Sequence, residues 1–302
     1  MKKKVFLFGL LFSLLLLCGC GVNLTSTVKL NKDFSGTRVM SCTFSSRDFH
    51  SYFKGSKEDL NKLIKESCPD ALTYTSSSSD GNDTYTFYLR FSSLDDYKKK
   101  VRDLLNFSPE ITYEYGDSPF VSGLIYKENF TSKDLMTWLY TALYEGKYID
   151  KDSSSDLWDL KSTEISFLGT TYETKDKINI DEMAYVPLSS IHIDTKTKKS
   201  GKLARVIEFD LPQQTLDQNA GKIRSYFAGN DITWENTSDG KTLCISFDAN
   251  NFSDLAQKTR TVLHSKNSFG TYSSTCSKDN PFTLKINYEE SLDLSHFCLL
   301  YT

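Results

Sequence analysis

The residue whose setting prescribes a reaction is Cys20. Lys2, Lys3 and Lys4 precede an apolar run from Val5 to Cys18, and the run closes on Leu17-Cys18-Gly19-Cys20. A basic n-region followed by a short h-region is a secretory signal. The run falls short of the roughly 20 apolar residues that a helix needs to cross a bilayer. Small residues before a cysteine fit an extended segment held by a membrane-embedded protease beside a diacylated thiol, and the tetrapeptide reads as the lipobox of a bacterial lipoprotein. Residues 1–19 are then a signal peptide and Cys20 is the lipid-attachment residue. No A-x-A-like site lies near it. Two or three acyl chains, palmitate among them, anchor stably where one binds marginally, at about 0.8 kcal/mol per buried CH2. The expected location is the extracytoplasmic face of the cell membrane, reached through this N-terminal lipid anchor.

Other chemistry-bearing residues form no pattern of comparable specificity. His50, His192, His264 and His296 are isolated, with no HxH or HxxxH spacing, whereas a zinc site needs three or four ligands. No G-x-S-x-G, P-loop or G-x-G-x-x-G motif occurs, and only 15 glycines are present to cradle a phosphate. Asp95-Asp96 reads as the first turn of a helix, where acids favour the positive dipole end. Glu289-Glu290 ends a strand, where neighbouring side chains point to opposite faces. Lys98-Lys99-Lys100 reads as a solvated helix face; the alternative is attraction to anionic headgroups, worth about 1 kcal/mol per basic residue. Ala256-Gln257-Lys258 stands at the matching place later in the chain. Trp138-Leu139-Tyr140 is mostly core by its spacing, while Tyr140 and Tyr144 fall off the buried stripe and are free to touch a ligand. The reading yields no catalytic residue, no metal ligand and no cofactor.

The elements that would carry these residues belong to a globular chain. Its 302 residues are a soft prior for two domains, and 17 Tyr with 20 Phe favour strands. The net charge is −3 and becomes more negative once the signal lysines are removed. That balance argues against a nucleic-acid partner, which calls for a basic stripe. Cys42, Cys68, Cys244, Cys276 and Cys298 follow the lipidated residue without any CxxC. Single cysteines are most often small buried hydrophobes, and Cys42–Cys68 and Cys244–Cys276 are the local disulfide candidates.

An internal repeat organises the chain. Leu72-Thr73-Tyr74, a turn with Asp80-Gly81 and a strand Tyr85–Phe91 are echoed by Ile232-Thr233-Trp234, Asp239-Gly240 and Thr242–Phe247. A helix follows each, with stripes Leu94, Tyr97, Val101, Leu104, Leu105 and, 158 residues on, Phe252, Leu255, Thr259, Val262, Leu263; these spacings make one helical face. Ser93 with Asp96 resembles a capping box. Ser118-Pro119-Phe120 is echoed by Asn280-Pro281-Phe282, each leading to a strand that ends at Tyr126 or Tyr288. Upstream, the hairpins Val28–Leu30/Val39–Phe44 and Ile191–Ile193/Arg205–Phe209 also correspond. Each is followed by a helix, the first capped by Ser56 with stripe Leu60, Leu63, Ile64, the second with Leu216, Ala220, Ile223, Phe227. Each unit reads β-β-α-β-β-α-β-β, an α+β fold with a mostly antiparallel sheet and its helices on one face. The expected division is a first unit over 20–149, a linker over 150–186 and a second unit over 187–302. The first unit carries a further helix over Thr131–Tyr144. The linker holds an added hairpin of Thr163–Phe167 and Lys177–Ile180.

Cys20, the strand Val22–Leu30, the turn Asn31-Lys32-Asp33-Phe34-Ser35-Gly36 and the segment Tyr85–Leu94 together resemble the LppM-type lipoprotein domain family of bacterial surface proteins. The likeness covers roughly Cys20–Tyr126 and, more weakly, the second unit. It implies a membrane-anchored α+β domain with a lipid-related or envelope binding role, and it supplies no catalytic residue. Two tandem units and no C-terminal membrane helix depart from the family pattern.

The leading expectation is a non-catalytic, membrane-tethered envelope binding module whose ligand is a lipid or glycolipid, a glycan or a protein. The alternatives are an envelope enzyme whose site is assembled only in three dimensions, and a structural or assembly protein that binds other envelope proteins. The second unit reads as cut short at its C-terminus, with a loosely ordered apolar tail beyond about Leu294. Cys20→Ala is expected to abolish palmitate labelling and membrane retention; equal incorporation of labelled palmitate by the variant contradicts the lipobox reading.

Overall fold

Alternation of apolar and polar residues gives this chain its strands. The computed structural model describes residues 22–46, 53–150, 157–265, 269–276, 284–292, 294 and 297–299. The signal segment, Cys20, His50 and His296 lie outside them. The architecture is mixed, with mostly antiparallel sheets and strands outweighing helices. The chain divides into two compact units, Met1–Glu114 with Ile125–Asp181, and Tyr115–Leu124 with Glu182–Thr302.

In the first unit, β1 (Val22–Leu30) and β2 (Gly36–Ser45) form a hairpin, and α1 (Lys57–Ser67) follows. Then come β3 (Thr73–Ser79), β4 (Asn82–Phe91) and α2 (Leu94–Leu105). A hairpin of β5 (Ile111–Asp117) and β6 (Val121–Glu128) leads to α3 (Ser132–Leu135) and α4 (Thr137–Glu145). The strands β7 (Trp158–Phe167) and β8 (Thr170–Thr174) complete a six-stranded sheet of order β3-β4-β2-β1-β7-β8, in which β1 and β7 are parallel. Along β1, Val22, Leu24, Val28 and Leu30 are buried while Asn23, Thr25 and Lys29 are exposed, the period of two that puts one face on the core. Ser56 and Asp59 close a capping box on α1, which satisfies amides that the first turn leaves unpaired. Leu60 and Ile64 of α1, Tyr97, Val101 and Leu104 of α2, and Leu139 and Leu143 of α4 are buried.

Residues 150–186 are more than a linker. From Trp158 onward they supply β7 and β8 to the main sheet, and β9 (Asn179–Asp181) pairs with β6 instead of closing a hairpin with the Thr163–Phe167 segment. The strand periodicity of this region is visible in sequence, but its parallel partner β1 is far away along the chain. Local reading therefore leaves the pairing unassigned.

The second unit contains β10 (Ala184–Tyr185), β11 (Pro187–Leu188), β12 (Ser190–Thr197), β13 (Leu203–Pro212), α5 (Gln213–Tyr226), β14 (Asp231–Asn236), β15 (Gly240–Ala249), α6 (Phe252–Val262), β16 (Phe269–Cys276), β17 (Leu284–Ser291) and β18 (Cys298–Leu299). Its main sheet has the order β12-β13-β15-β14. Read from β14, this is the order of β3-β4-β2-β1. The registers coincide as well. Gly36 faces Leu30 on one side and Phe91 on the other, as Leu203 faces Thr197 and Ala249. Thr73 faces Tyr88 as Asp231 faces Ser246. The core gathers Phe209, Phe227, Leu243, Ile245 and Leu263 with Phe120, which comes from the tip of the β5–β6 hairpin. Residues 115–124 thus pack in the second unit, not in the first as the 20–149 boundary has it.

Of the tail expected to be loose beyond about Leu294, residues 295, 296 and 300–302 lie outside the described residues, and residues 297–299 are placed against the second unit. Phe297 is buried, 5.2 Å from the Phe120 ring and 5.4 Å from Phe209, and Cys298–Leu299 pairs in parallel with Pro187–Leu188. The large apolar area that a phenylalanine removes from water accounts for its place in the core. Cys42, Cys68 and Cys244 are free thiols, so neither local disulfide candidate is formed. Burial pushes the Cys42 thiol well above its ordinary range.

Backbone crowding at the first hairpin makes one position intolerant. A Cβ added at Gly36 would lie 2.2 Å from the Lys29 carbonyl oxygen, whereas one at Gly221, on α5, would meet nothing within 4 Å. Gly36→Ala is expected to lower stability by about 1–3 kcal/mol through overpacking. Gly221→Ala is expected to raise it by about 0.4–1 kcal/mol, since it restricts the unfolded chain in a helical setting. Urea midpoints of the two variants check both signs.

Candidate functional site

Arg38 stands in phase with Met40, Cys42 and Phe44 on β2, so the strand's alternation carries a guanidinium to the core face. Glu128 stands in phase with Leu124 and Tyr126 on β6 and meets it there. Arg38 Nη1 donates to Glu128 Oε2 at 2.7 Å, with the two side chains 1% and 0% exposed. The same Nη1 donates to the Tyr97 hydroxyl at 2.7 Å, and Nη2 donates to Ser132 Oγ at 2.8 Å. Tyr97 in turn donates to Glu128 Oε1 at 2.7 Å, and Tyr126 donates to that same oxygen. The Phe130 ring lies 5.7 Å from the guanidinium carbon. Burial opposes a charged guanidinium, but the Glu128 carboxylate together with Tyr97 and Tyr126 outweighs it and raises the Arg38 pKa.

This network fixes helices that build a concavity of the first unit. Tyr97 belongs to α2 and Ser132 opens α3, and Ser132 also contacts Thr163 Oγ1 of β7 at 3.1 Å. The C-terminal end of α2, the length of α4 and the outer side of α1 enclose a crevice of about 650 Å3. Its apolar lining comes from Leu63, Leu104, Leu105, Phe107, Trp138 and Ala142, and its carboxylates from Asp103, Asp134 and Glu145. No lysine or arginine is among its described lining residues. Phe107 is 47% exposed, large for a phenylalanine on a folded surface. Asn106, the C-cap of α2, takes the left-handed conformation and turns the chain so that Phe107 reaches the rim.

The second unit also holds an inward arginine–glutamate pair, with different accessories. Arg205, in phase with Ile207 and Phe209 on β13, donates to Glu290 at 2.7 Å, the side chains being 3% and 10% exposed. Glu290 lies 162 residues beyond Glu128. The helix contact comes from Thr259 Oγ1, 2.6 Å from Arg205 Nη1. That position on α6 matches Val101 of α2, one turn beyond the position of Tyr97. Thr195 accepts from Nε at 3.0 Å. A more open hollow of about 630 Å3 lies in this unit beside Lys222, Tyr226 and Pro119.

The positions singled out in sequence fall as follows. Asp96 caps α2 through the Ser92 amide and binds Lys100, whose Nζ also donates to the Arg90 carbonyl. Asp254, Lys258 and the Asp248 carbonyl make the same set of contacts on α6. Lys100 is therefore committed to its own helix, and the tie is shared by Lys258. Glu289 is exposed and Glu290 turned inward, as strand alternation requires. His192 is held by Ser190 and lies 3.4 Å from Asp210, and the His264 ring is seated 4.0 Å from that of Tyr226. The two are unrelated in space to any metal-ligand cluster among the described residues. Tyr140 and Tyr144 stack on each other, ring planes 9° apart, outside the crevice lining. Trp138 lines the crevice instead of lying wholly in the core. No helix among the described residues is long and apolar enough to cross a membrane. Arg38 and Arg205 escaped the sequence reading, although the parity of each with its strand's apolar residues was there to mark them.

No protein-family model matches the chain, and comparison with curated proteins finds no significant similarity.

The buried phenols give a pH signature. Burial, together with the Glu128 charge, pushes Tyr97 and Tyr126 above the ordinary tyrosine range, and burial pushes Tyr85 up to about 12. In the folded chain these groups hold their protons where the unfolded chain releases them. Their contribution is thus fully present below the ordinary tyrosine value and is lost as pH rises through and beyond it. Stability measured by urea is expected to be flat from neutral pH to about 9.5 and to fall steeply above about 10. The expected absorbance titration shows a set of tyrosines ionising only with unfolding. Ionisation of all 17 tyrosines near their ordinary value with the fold intact contradicts the sealed network.

Proposed function

We propose that this chain is a lipid-tethered envelope protein that binds an amphiphilic ligand without transforming it. The observation that carries the reading is the crevice of the first unit, whose apolar lining is rimmed by three carboxylates and by the hydroxyls of Ser67, Thr137 and Thr141, with no basic residue among the described lining residues. Concave, largely apolar sites with a few placed polar groups are the usual form of small-molecule sites. A rim of carboxylates and hydroxyls repels phosphate and accepts hydrogen bonds from a neutral, hydroxyl-rich head, which makes a glycolipid the fitting class. The groups with the largest pKa shifts, Arg38, Tyr97, Tyr126 and Cys42, are sealed in the core of the same unit, and their hydrogen bonds serve the fold rather than a reaction.

Anchoring through Cys20 at the extracytoplasmic membrane face and likeness to LppM-type domains belong to the same proposal. So does a tandem duplication. Strand order, pairing register, the acid–lysine tie on α2 and α6, and the inward arginine–glutamate pair all recur at corresponding positions, and this agreement supports descent of both halves from one unit.

Calorimetric titration with a dioctanoyl glycosyldiacylglycerol tests the binding reading. Saturable one-to-one binding is expected, with much weaker binding of dioctanoyl phosphatidylglycerol. Thr141 lines the crevice and is exposed, so Thr141→Arg intrudes on the site without disturbing the core. It is expected to weaken glycolipid binding by about tenfold, equivalent to about 1.4 kcal/mol. Absence of saturable binding, or binding indifferent to Thr141→Arg, overturns the proposal.

A further inference from the structure

A single glycine separates Cys20 from the first residue of β1, and β1 is an interior strand. Val22 is 1% exposed, its amide donates to the Leu157 carbonyl at 2.7 Å, and it pairs with Trp158 of β7. From Asn23 onward the strand is also paired with β2 along its length. Lengthening the tether by peeling β1 would break both ladders and expose Val22 and Leu24, so the free chain between lipid and fold is limited to about two residues, or about 7 Å.

We infer that one end of the first unit's sheet rests against the headgroup layer of the bilayer that holds the Cys20 acyl chains. This rests on the lipid-anchor reading and adds an orientation to it. The end in question is set by register. Asn23 lies opposite Thr43 near the end of β2, Ser45 lies opposite Asn82 at the start of β4, and Ser79 of β3 lies opposite the same Asn82. The β3–β4 turn, Asp80-Gly81, therefore sits at the end where β1 begins. Among the described residues, the β3–β4 side of this end is polar. Ser76–Ser79 are exposed, and Lys57 is engaged by Ser78 and Asp83 at 2.6 and 2.5 Å. Hydroxyls and a neutralised lysine suit contact with headgroups rather than entry into hydrocarbon. The opposite end carries the β7–β8 turn, because Leu30 lies opposite Phe167. Leu168 there is 55% exposed. Nine residues of β1 separate the two ends, which is about 30 Å at strand rise.

The test uses the lipidated full-length protein in vesicles of equal parts phosphatidylethanolamine and phosphatidylglycerol. A coumarin amino acid is placed at position 80 or at position 168, and a nitroxide-headgroup lipid serves as a short-range quencher. Quenching at position 80 is expected to exceed that at position 168 by about threefold or more, since the two probes differ in height by about the length of the strand. Insertion of about ten Gly/Ser residues between Gly21 and Val22 releases the constraint and is expected to reduce quenching at position 80 while the protein still floats with the vesicles. Equal quenching at both positions, stronger quenching at 168, or indifference to the insertion overturns the orientation while leaving the anchor intact. Failure of the protein to float with vesicles overturns the anchor reading and the orientation with it.

Discussion

An arginine and a glutamate that meet inside a β-sheet core constrain everything around them. Taking both charges out of water costs several kcal/mol per ion, and only close geometry with every remaining hydrogen-bonding site occupied offsets it. Arg38 and Glu128 meet most of that demand by recruiting the Tyr97 hydroxyl, the Tyr126 hydroxyl and Ser132, and leave Arg38 Nε buried without a partner. The partners come from β2, α2 and the adjoining β6 and α3, three separate stretches of the chain. A one-residue slip of either strand would turn its charge to the other face and leave the other buried alone. The pair therefore specifies register more than it adds stability. Arg205 and Glu290 impose the same condition on β13 and β17, with Thr259 and Thr195 as accessories.

The crevice inherits its shape from this constraint. Tyr97 holds α2 in place, and the end of α2 presents Asp103, Asn106 and Phe107; Ser132 holds the start of the segment that continues into α4 with Thr137, Trp138 and Thr141. Two of the three walls are thus tied to one guanidinium. A concavity built on helices fixed by buried hydrogen bonds is pre-organised, and pre-organisation reduces the ordering cost of binding. The matching arginine of the second unit faces a threonine one helical turn away, and no α4-like helix follows β17 among the described residues. The two units therefore differ in the surface that each sheet supports.

Most of the elements were legible because their signals are local. Ser56 and Ser93 cap the helices that follow them, Leu60 and Ile64 bury as their spacing requires, and the strands around Val39–Phe44 and Arg205–Phe209 alternate as read. What escaped was non-local. The parallel pairing of β1 with β7 joins residues more than a hundred positions apart, and Phe120 and Phe297 enter a core assembled from distant segments. The buried arginines escaped for another reason: charge argues for the surface, and only parity with Met40, Cys42 and Phe44, or with Ile207 and Phe209, argues for the core. Where propensity and parity disagree, as at Arg38, the partner that resolves the conflict lies on a different strand.

The claim that Arg38 and Glu128 each require the other in the core of the first unit is tested most directly by a double-mutant cycle on the two residues, read by urea unfolding. Arg38→Met and Glu128→Met singly are expected to cost about 3–5 kcal/mol each, because each leaves a charge buried and unpaired. The double variant is expected to recover much of that loss, giving a coupling energy well above about 1 kcal/mol. Single variants within about 0.5 kcal/mol of the parent, or a double variant whose loss is the sum of the two, would contradict the account.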